Sequence, residues 1–171
     1  MGLSYKILIV DDEEAIRNFM VSLFSKFGHR CETVKDGIEA LEKVKKHSFD
    51  SAVIDIVMPH MDGITLTKEL KKSYPDLPIM IMTGKDDEHS AGLVIAAGAR
   101  EFIKKPFPLD EFIIRFNKMM RDQENLRRLT KERDEIIFNT HREASEKIGE
   151  LKKKIETLEG KSYLLEPDWW R

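Results

Sequence analysis

Short apolar runs alternate with longer amphipathic stretches over residues 5–120, and this alternation limits the fold more than any other feature of the sequence. The amphipathic stretches carry apolar residues at helical spacing, as at Phe19, Leu23 and Phe27. Five strands that alternate with helices predict an α/β fold, in which a parallel sheet has helices on both of its faces. The predicted strands are Tyr5–Val10, Cys31–Val34, Ser51–Ile54, Pro78–Met82 and Arg100–Ile103.

Polar side chains stand where four of these strands end. Asp11 and Asp12 follow the first strand, and Asp55 follows the third. Thr83 comes at the end of the fourth strand and Lys105 at the end of the fifth. Because the carboxyl ends of parallel strands lie at one edge of a sheet, where ligands of open α/β sheets bind, we expect these five side chains to meet.

The chemistry of this set indicates phosphoryl transfer. Three neighbouring carboxylates repel one another and need a cation, and oxygen ligands of this kind suit Mg²⁺. A carboxylate nucleophile, a metal, a lysine and a hydroxyl are the groups that phosphoryl transfer requires. Taken singly, Asp12 could cap a helix, Thr83 could belong to a turn and Lys105 could be a surface lysine. Their shared position at strand ends favours a phosphoryl-transfer site.

Five segments between residues 4 and 121 form one ordered pattern: ILIVDDE at 7–13, AVIDIVMPHMDG at 52–63, IMTG at 81–84, AGA at 97–99 and FIKKPF at 102–107. In order and spacing these segments resemble the receiver domain of two-component response regulators, of the type found in chemotaxis regulators. The resemblance implies a doubly wound, flavodoxin-like sheet of five parallel strands in the order 2-1-3-4-5.

The resemblance also implies a phosphoacceptor site. Asp55 would be the phosphorylated aspartate, and Asp11, Asp12, Asp55 and the backbone carbonyl of Val57 would bind Mg²⁺. The phosphoryl group would come from a histidine kinase, a phosphotransfer protein or a small phosphodonor. Such a chain is a signalling domain and not an enzyme for external substrates, since it catalyses only its own phosphorylation and slow dephosphorylation.

Four further residues receive roles from the same resemblance. Lys105 and Thr83 would bind phosphoryl oxygens, and Thr83 would move towards the phosphoryl group. Phe102 would be the aromatic switch that turns inward with Thr83, and the peptide bond before Pro106 would be cis. Many family members have tyrosine at the switch position, so Phe102 keeps the aromatic bulk but lacks the hydroxyl. The affected face would comprise residues 86–97, 100–103 and 109–120.

Two other classes of protein compete with this interpretation. A Mg²⁺-dependent phosphatase or hydrolase would need an acid/base carboxylate two residues after the nucleophile, where this sequence has Val57. A degenerate receiver that serves only as an interaction scaffold would not need the intact set Asp11, Asp12, Asp55, Thr83 and Lys105.

The composition changes after the receiver-like region, which we place at 1–121. Of residues 121–160, twenty are charged, ten of each sign, which predicts one long helix. Apolar residues fit a 3-4 repeat at Phe116, Met119, Leu126, Ile137 and Ala144, and a second repeat at Ala144, Ile148, Leu151, Ile155 and Leu158. Joining the two phases requires a four-residue stutter, and Gln123, Thr130, Arg133 and Thr140 interrupt the first. We expect the last helix to extend into a coiled-coil stalk at 122–160, with a homodimer formed through residues 109–160. A solvated single helix is the alternative.

The sequence says less about how such a protein passes on its signal than about its phosphoacceptor site. Either the stalk and a tail at 161–171, with Trp169 and Trp170, form the output, or the chain is the front part of a longer regulator with an effector domain. The net charge of -2 argues against direct binding to nucleic acid or to a membrane surface. The single cysteine, Cys31, allows no internal disulfide, and no stretch has a signal-peptide or membrane-span pattern, so a cytoplasmic location is predicted.

Overall fold

A computed structural model gives the structure of the chain and describes residues 4–84 and 90–162, without the side chains at 90, 91 and 159–162. Strands and helices alternate along the described residues. The strands are β1 Lys6–Val10, β2 Arg30–Val34, β3 Ser51–Asp55, β4 Ile79–Thr83 and β5 Glu101–Lys104. The helices are α1 Glu14–Lys26, α2 Gly37–Lys46, α3 Gly63–Ser73, α4 Ser90–Ala96 and α5 Leu109–Ser162.

The five strands form one parallel sheet in the order β2-β1-β3-β4-β5. The fold expected from the sequence is therefore confirmed. Alternate residues of each strand face opposite sides, so Leu8 and Val10 pack under α2, α3 and α4, whereas Ile7 and Ile9 pack under α1 and α5. All four side chains are fully buried, as expected for strands of a sheet covered on both faces.

Local sequence explains where several helices begin and end. The Asp36 carboxylate accepts a hydrogen bond from the Glu39 N–H at 2.9 Å, and the Asp62 carboxylate accepts one from the Thr65 N–H at 2.8 Å. These bonds satisfy N–H groups that the first turns of α2 and α3 leave free. Gly98 follows α4 with φ +96°, a backbone conformation that favours glycine.

An aromatic cluster joins α1 to the first part of α5. The ring centroids of Phe24 and Phe116 lie 4.7 Å apart, and those of Phe24 and Phe112 lie 5.7 Å apart. Because Phe116 and Met119 are buried here, they belong to the receiver core. The 3-4 spacing that they share with Leu126 therefore runs from buried to exposed positions of α5, and spacing alone does not reveal this change of environment.

The contacts divide the chain into two compact units, one up to Gln123 and one from Glu124 onward. The side chain of Gln123 is 2% exposed. Its amide donates to the carbonyl oxygen of Asp76 at 2.9 Å, and its amide oxygen accepts from Nη2 of Arg100 at 2.9 Å. Gln123 is therefore a receiver residue with a satisfied buried amide.

The second unit consists of α5 from Glu124 to Ser162 as far as the structure describes it. The long helix expected after the receiver is thus present, while its pairing stays a prediction. The expected start of the fourth helix at Asp86 and the tail residues Trp169 and Trp170 lie outside the described residues. No helix in the described ranges has the length and apolar character that crossing a membrane requires.

Gly63 provides a test of how tightly the sheet and α3 are packed. A Cβ at this position would overlap the backbone carbonyl of Asp55, whereas a Cβ at Gly92 would meet nothing within 4 Å. Gly63→Ala should lower the free energy of unfolding by about 2–3 kcal/mol, because the backbone must move to relieve the overlap. Gly92→Ala, the control in α4, should be neutral or raise it by about 0.5–1 kcal/mol. Urea denaturation measures both, and equal midpoints for the two variants would contradict the prediction.

Candidate functional site

The residues predicted from strand ends lie at one edge of the sheet. Asp11 directly follows β1, Asp55 is the last residue of β3, and Thr83 is the last residue of β4. Thr83 is opposite Lys104, so Lys105 begins the segment beyond β5, and its N–H donates to the carbonyl oxygen of Thr83 at 2.6 Å. The parallel register thus brings the ends of these strands to one edge of the sheet.

Lys105 joins two of the predicted carboxylates. Its Nζ lies 2.7 Å from Oδ1 of Asp55 and 3.1 Å from Oδ2 of Asp11. Asp11 is 0% exposed and Asp55 is 7% exposed, so both charges have lost most of their water. Buried carboxylates persist in the ionised form only when a cation and hydrogen bonds compensate them, and Lys105 supplies both.

The electrostatic balance of the site remains negative. Burial raises the pKa of Asp55 above its ordinary value, the hydrogen bond and charge of Lys105 oppose this, and the negative charges of Asp11 and Asp12 add to it. Burial would lower the pKa of Lys105, but its hydrogen bond with Asp55 and the charges of Asp55 and Asp11 raise it. Lys105 therefore stays protonated, and one ammonium group does not fully offset the acidic surroundings of Asp55.

The carboxylate oxygens at this edge are donors that Mg²⁺ prefers, but they do not form a complete set of metal ligands. Within residues 4–84 and 90–162, no three acidic, histidine or cysteine side chains are close enough together to hold a metal ion. Asp12 is exposed, and Oδ1 of Asp11 accepts the Glu13 N–H at 2.9 Å. Oxygen donors and excess negative charge nevertheless fit a hard cation.

The two residues expected to switch lie in different surroundings. Thr83 is fully buried, and its Oγ1 donates to the carbonyl oxygen of Gly84 at 3.1 Å. Phe102 is half-buried and packs against the core under α3 and α4. The Lys105–Pro106 peptide bond is cis.

Arg17 supports the site in a way that the sequence analysis missed. Its Nη1 donates to the carbonyl oxygens of Asp11 and Asp12, at 2.8 and 2.9 Å. These bonds fix the loop that carries both acidic side chains and place a positive charge behind it. An arginine one turn into the helix that follows an acidic loop is the signal that could have identified this contact.

The raised pKa of Asp55 predicts a pH-dependent effect of its removal. A raised pKa means that ionised Asp55 is less favourable in the folded chain than in the unfolded chain. In metal-free buffer, Asp55→Asn should therefore raise the free energy of unfolding near pH 7. The gain should be complete above the folded pKa of Asp55 and disappear as the pH falls below the ordinary aspartate pKa of about 3.9.

Asp62 is the matched control, since burial raises its pKa but the hydrogen bonds from Thr65 outweigh that effect and leave the pKa lowered. Asp62→Asn should lower the free energy of unfolding near pH 7, and this loss should fade on acidification. Urea denaturation at a series of pH values measures both variants. A lower free energy of unfolding for Asp55→Asn at neutral pH would contradict the raised pKa of Asp55.

Comparisons with known proteins agree with the geometry. A family model described as the response regulator receiver domain matches residues 7–117. Response regulator MprA of Mycobacterium ulcerans (strain Agy99) is 37% identical over 121 residues, which are 70% of this chain and 51% of that protein. MprA of Mycobacterium leprae (strain TN) is 38% identical over 118 residues, 68% of this chain and 51% of that protein. The chain thus spans about half the length of the curated relatives it matches.

Solved structures show the same fold. NtrX from Brucella abortus superimposes with a TM-score of 0.72 and 30% identity, covering 75% of this chain and 29% of that one. The chemotaxis response regulator CheY4 of Vibrio cholerae has a TM-score of 0.64 and 29% identity, covering 68% of this chain and 99% of that one. Since the family match extends over most of the chain, this protein belongs to the response regulator receiver family of two-component systems.

Proposed function

We propose that Asp55 accepts a phosphoryl group and that the chain transmits the change to a homodimeric C-terminal helix. The observation that carries the proposal is the contact of one ammonium group, Lys105 Nζ, with the carboxylates of Asp55 and Asp11 at a buried sheet edge. This arrangement offers a nucleophile and a cation side by side, as phosphoryl transfer requires.

Family membership supplies the setting of the reaction. Receiver domains are signalling domains, and response regulators interact with histidine kinases or phosphotransfer proteins. Such a partner, or a small phosphodonor, would provide the phosphoryl group here. Receiver domains generally use Mg²⁺ at the phosphorylation site, and the atoms that would hold it are the carboxylates of Asp11, Asp12 and Asp55 and the carbonyl of Val57. The ion would supply charge neutralisation for the phosphoryl oxygens.

The transfer itself forms one bond and breaks one. An oxygen of the Asp55 carboxylate attacks phosphorus in line, and the bond from phosphorus to the donor nitrogen or oxygen breaks. The donor atom keeps the electron pair of the broken bond, so a phosphohistidine donor leaves as imidazole and acetyl phosphate leaves as acetate, and Asp55 becomes an aspartyl phosphate. Lys105, which its acidic neighbours keep charged, balances the charge on the phosphoryl oxygens.

Thr83 and Phe102 would convert this chemistry into a structural change. The Thr83 hydroxyl would exchange its bond to the Gly84 carbonyl for a bond to a phosphoryl oxygen. The space that Thr83 leaves would accept Phe102, which is half-buried beside the core. The face formed by α4, β5 and the first part of α5 would change shape as a result.

Phosphatase chemistry is a weaker proposal, because the residue two positions after Asp55 is Val57, which is 67% exposed and carries no acid or base. A pure scaffold role leaves the contacts of Lys105 with two buried carboxylates unexplained. A longer regulator with an effector domain remains an open alternative for the output. Cytoplasmic location and the lack of direct nucleic-acid binding stay predictions of the sequence.

Intact-mass measurement after incubation with acetyl phosphate and Mg²⁺ tests phosphoryl acceptance. The unmodified chain should gain one phosphoryl group, and Asp55→Asn should gain none. Asp50→Asn is the control, because Asp50 precedes β3 at the other end of the strand and binds the Lys6 N–H, which an asparagine oxygen also accepts. Phosphorylation of Asp55→Asn at the level of the control, or of the unmodified chain in excess EDTA, would refute the proposal.

The proposed signal predicts a change in the dimer. Single cysteines introduced into residues 124–158, in a Cys31→Ser background, should give disulfide-linked dimers whose yield pattern changes when acetyl phosphate is added. Asp55→Asn should give the same pattern with and without the phosphodonor. Identical patterns for a fully phosphorylated chain and its untreated form would exclude transmission through this helix.

A further inference from the structure

We propose that the homodimer pairs through an 11-residue repeat on α5, which builds on the homodimer part of the proposed function. The repeat begins three residues after Gln123, the last receiver residue. Its positions recur at steps of three, four and four residues, and together they form what we call the 11-residue stripe. The stripe consists of Leu126, Leu129, Arg133, Ile137, Thr140, Ala144, Ile148, Leu151 and Ile155.

The period of the stripe fits an α-helix better than a seven-residue repeat does. Eleven residues exceed three helical turns by about 20°, whereas seven fall short of two turns by about 20°. Seven of the nine stripe positions are apolar. A strict seven-residue repeat that contains both Leu126 and Ile137 would instead include Thr130, Lys147 and Lys154. The four-residue stutter is thus one step of the regular 11-residue pattern. The two α5 helices of a dimer should therefore form a slight right-handed supercoil.

The two polar members of the stripe have partners on their own helix. The Thr140 hydroxyl donates to the carbonyl oxygen of Ile136 at 2.9 Å, which leaves its methyl group for packing. Nε and Nη2 of Arg133 donate to Oδ1 of Asp134 at 3.0 and 2.7 Å. Each polar group would therefore keep at least one hydrogen bond if the stripe were buried against another helix.

Exposure shows that the stripe is available in the single chain. The six large apolar members are 45–56% exposed: Leu126, Leu129, Ile137, Ile148, Leu151 and Ile155. In the part of this unit that the structure describes, α5 is the whole of the structure, so nothing else described within the unit covers the stripe. An apolar stripe of this regularity on a solvated helix marks an interaction surface.

A second copy of the chain is the occupant that fits the stripe. From Leu126 to Ile155 the stripe runs about 44 Å, far longer than the two or three turns by which a helix anchors in a globular groove. Only a helix with the same period stays in contact over that length, and another copy supplies one. Residues 126–158 carry nine basic and seven acidic side chains, a near balance that does not repel an identical helix.

Two adjacent large apolar residues of α5, one inside the stripe and one outside it, test the proposed pairing. Ile137 lies in the stripe, whereas Phe138, which is 67% exposed, lies on the far face of the same helix. Sedimentation equilibrium of the full chain, with and without acetyl phosphate, gives the dimer dissociation constant. Ile137→Glu should raise it by roughly 100-fold or more, because a carboxylate would lose its water in the apolar contact. Phe138→Glu should change it by less than about 3-fold.

A second pair separates the two periods. Leu129→Glu should weaken the dimer as Ile137→Glu does, while Thr130→Glu, one residue later and outside the stripe, should have a much smaller effect. Circular dichroism should show equal helix content in all four variants. A dimer weakened equally by Phe138→Glu, or more by Thr130→Glu than by Leu129→Glu, would overturn the 11-residue register.

Phosphoryl acceptance is measured on the same samples, which keeps the two proposals apart. A chain that takes a phosphoryl group on Asp55 but stays monomeric in both states would overturn this inference and leave the acceptor function standing. A chain that is not phosphorylated but forms a dimer sensitive to the stripe variants would support this inference and overturn the acceptor function. A trimer or tetramer would also overturn the two-helix pairing.

Discussion

The contact of Lys105 with two buried carboxylates is the constraint that ties the functional site of the receiver to the correct assembly of its sheet. Asp11 follows β1 and Asp55 ends β3, and the ammonium group that joins them comes from beyond β5. The strand order and parallel register must therefore be correct for the contact to form at all. At the same time the ammonium group does not fully compensate the acids, since the pKa of Asp55 is raised by burial and by its acidic neighbours. Lys105 thus holds the two carboxylates together, but the site keeps a net negative charge that a further cation would neutralise.

Periodicity and strand-end chemistry were sufficient to predict the sheet, its parallel direction and the edge where Asp11, Asp55, Thr83 and Lys105 lie. The reason is that buried parallel strands must be apolar along their whole length, so the polar residues that interrupt the pattern stand at strand ends. The strand order came from the family resemblance, because alternation alone fits several orders. The contact of Arg17 with the loop carbonyls was not predicted, since a long flexible side chain on a helix has many sites within reach.

The boundary of the receiver shows a different limit of sequence reasoning. Phe116 and Met119 continue the spacing of the later apolar residues of α5, yet they are buried against the sheet and α1. A helix keeps one geometry while its neighbours change, and spacing records only the geometry. Gln123 interrupts an apolar repeat in the sequence, but its side-chain amide is buried, and both its oxygen and its nitrogen form hydrogen bonds. Only coordinates distinguish a polar residue that faces solvent from one that has found partners inside.

The buried amide of Gln123 also bears on how such receivers acquire new outputs. The bonds to Arg100 and Asp76 satisfy both ends of this amide with partners inside the receiver, so its own hydrogen bonds do not depend on the sequence that follows. A recombination event that joins foreign helical sequence immediately after Gln123 would leave both of these hydrogen bonds intact. A joint a few residues earlier would remove the amide, and with it the bonds to the Asp76 carbonyl oxygen and the Arg100 guanidinium. The amide thus marks a natural splice point for modular exchange.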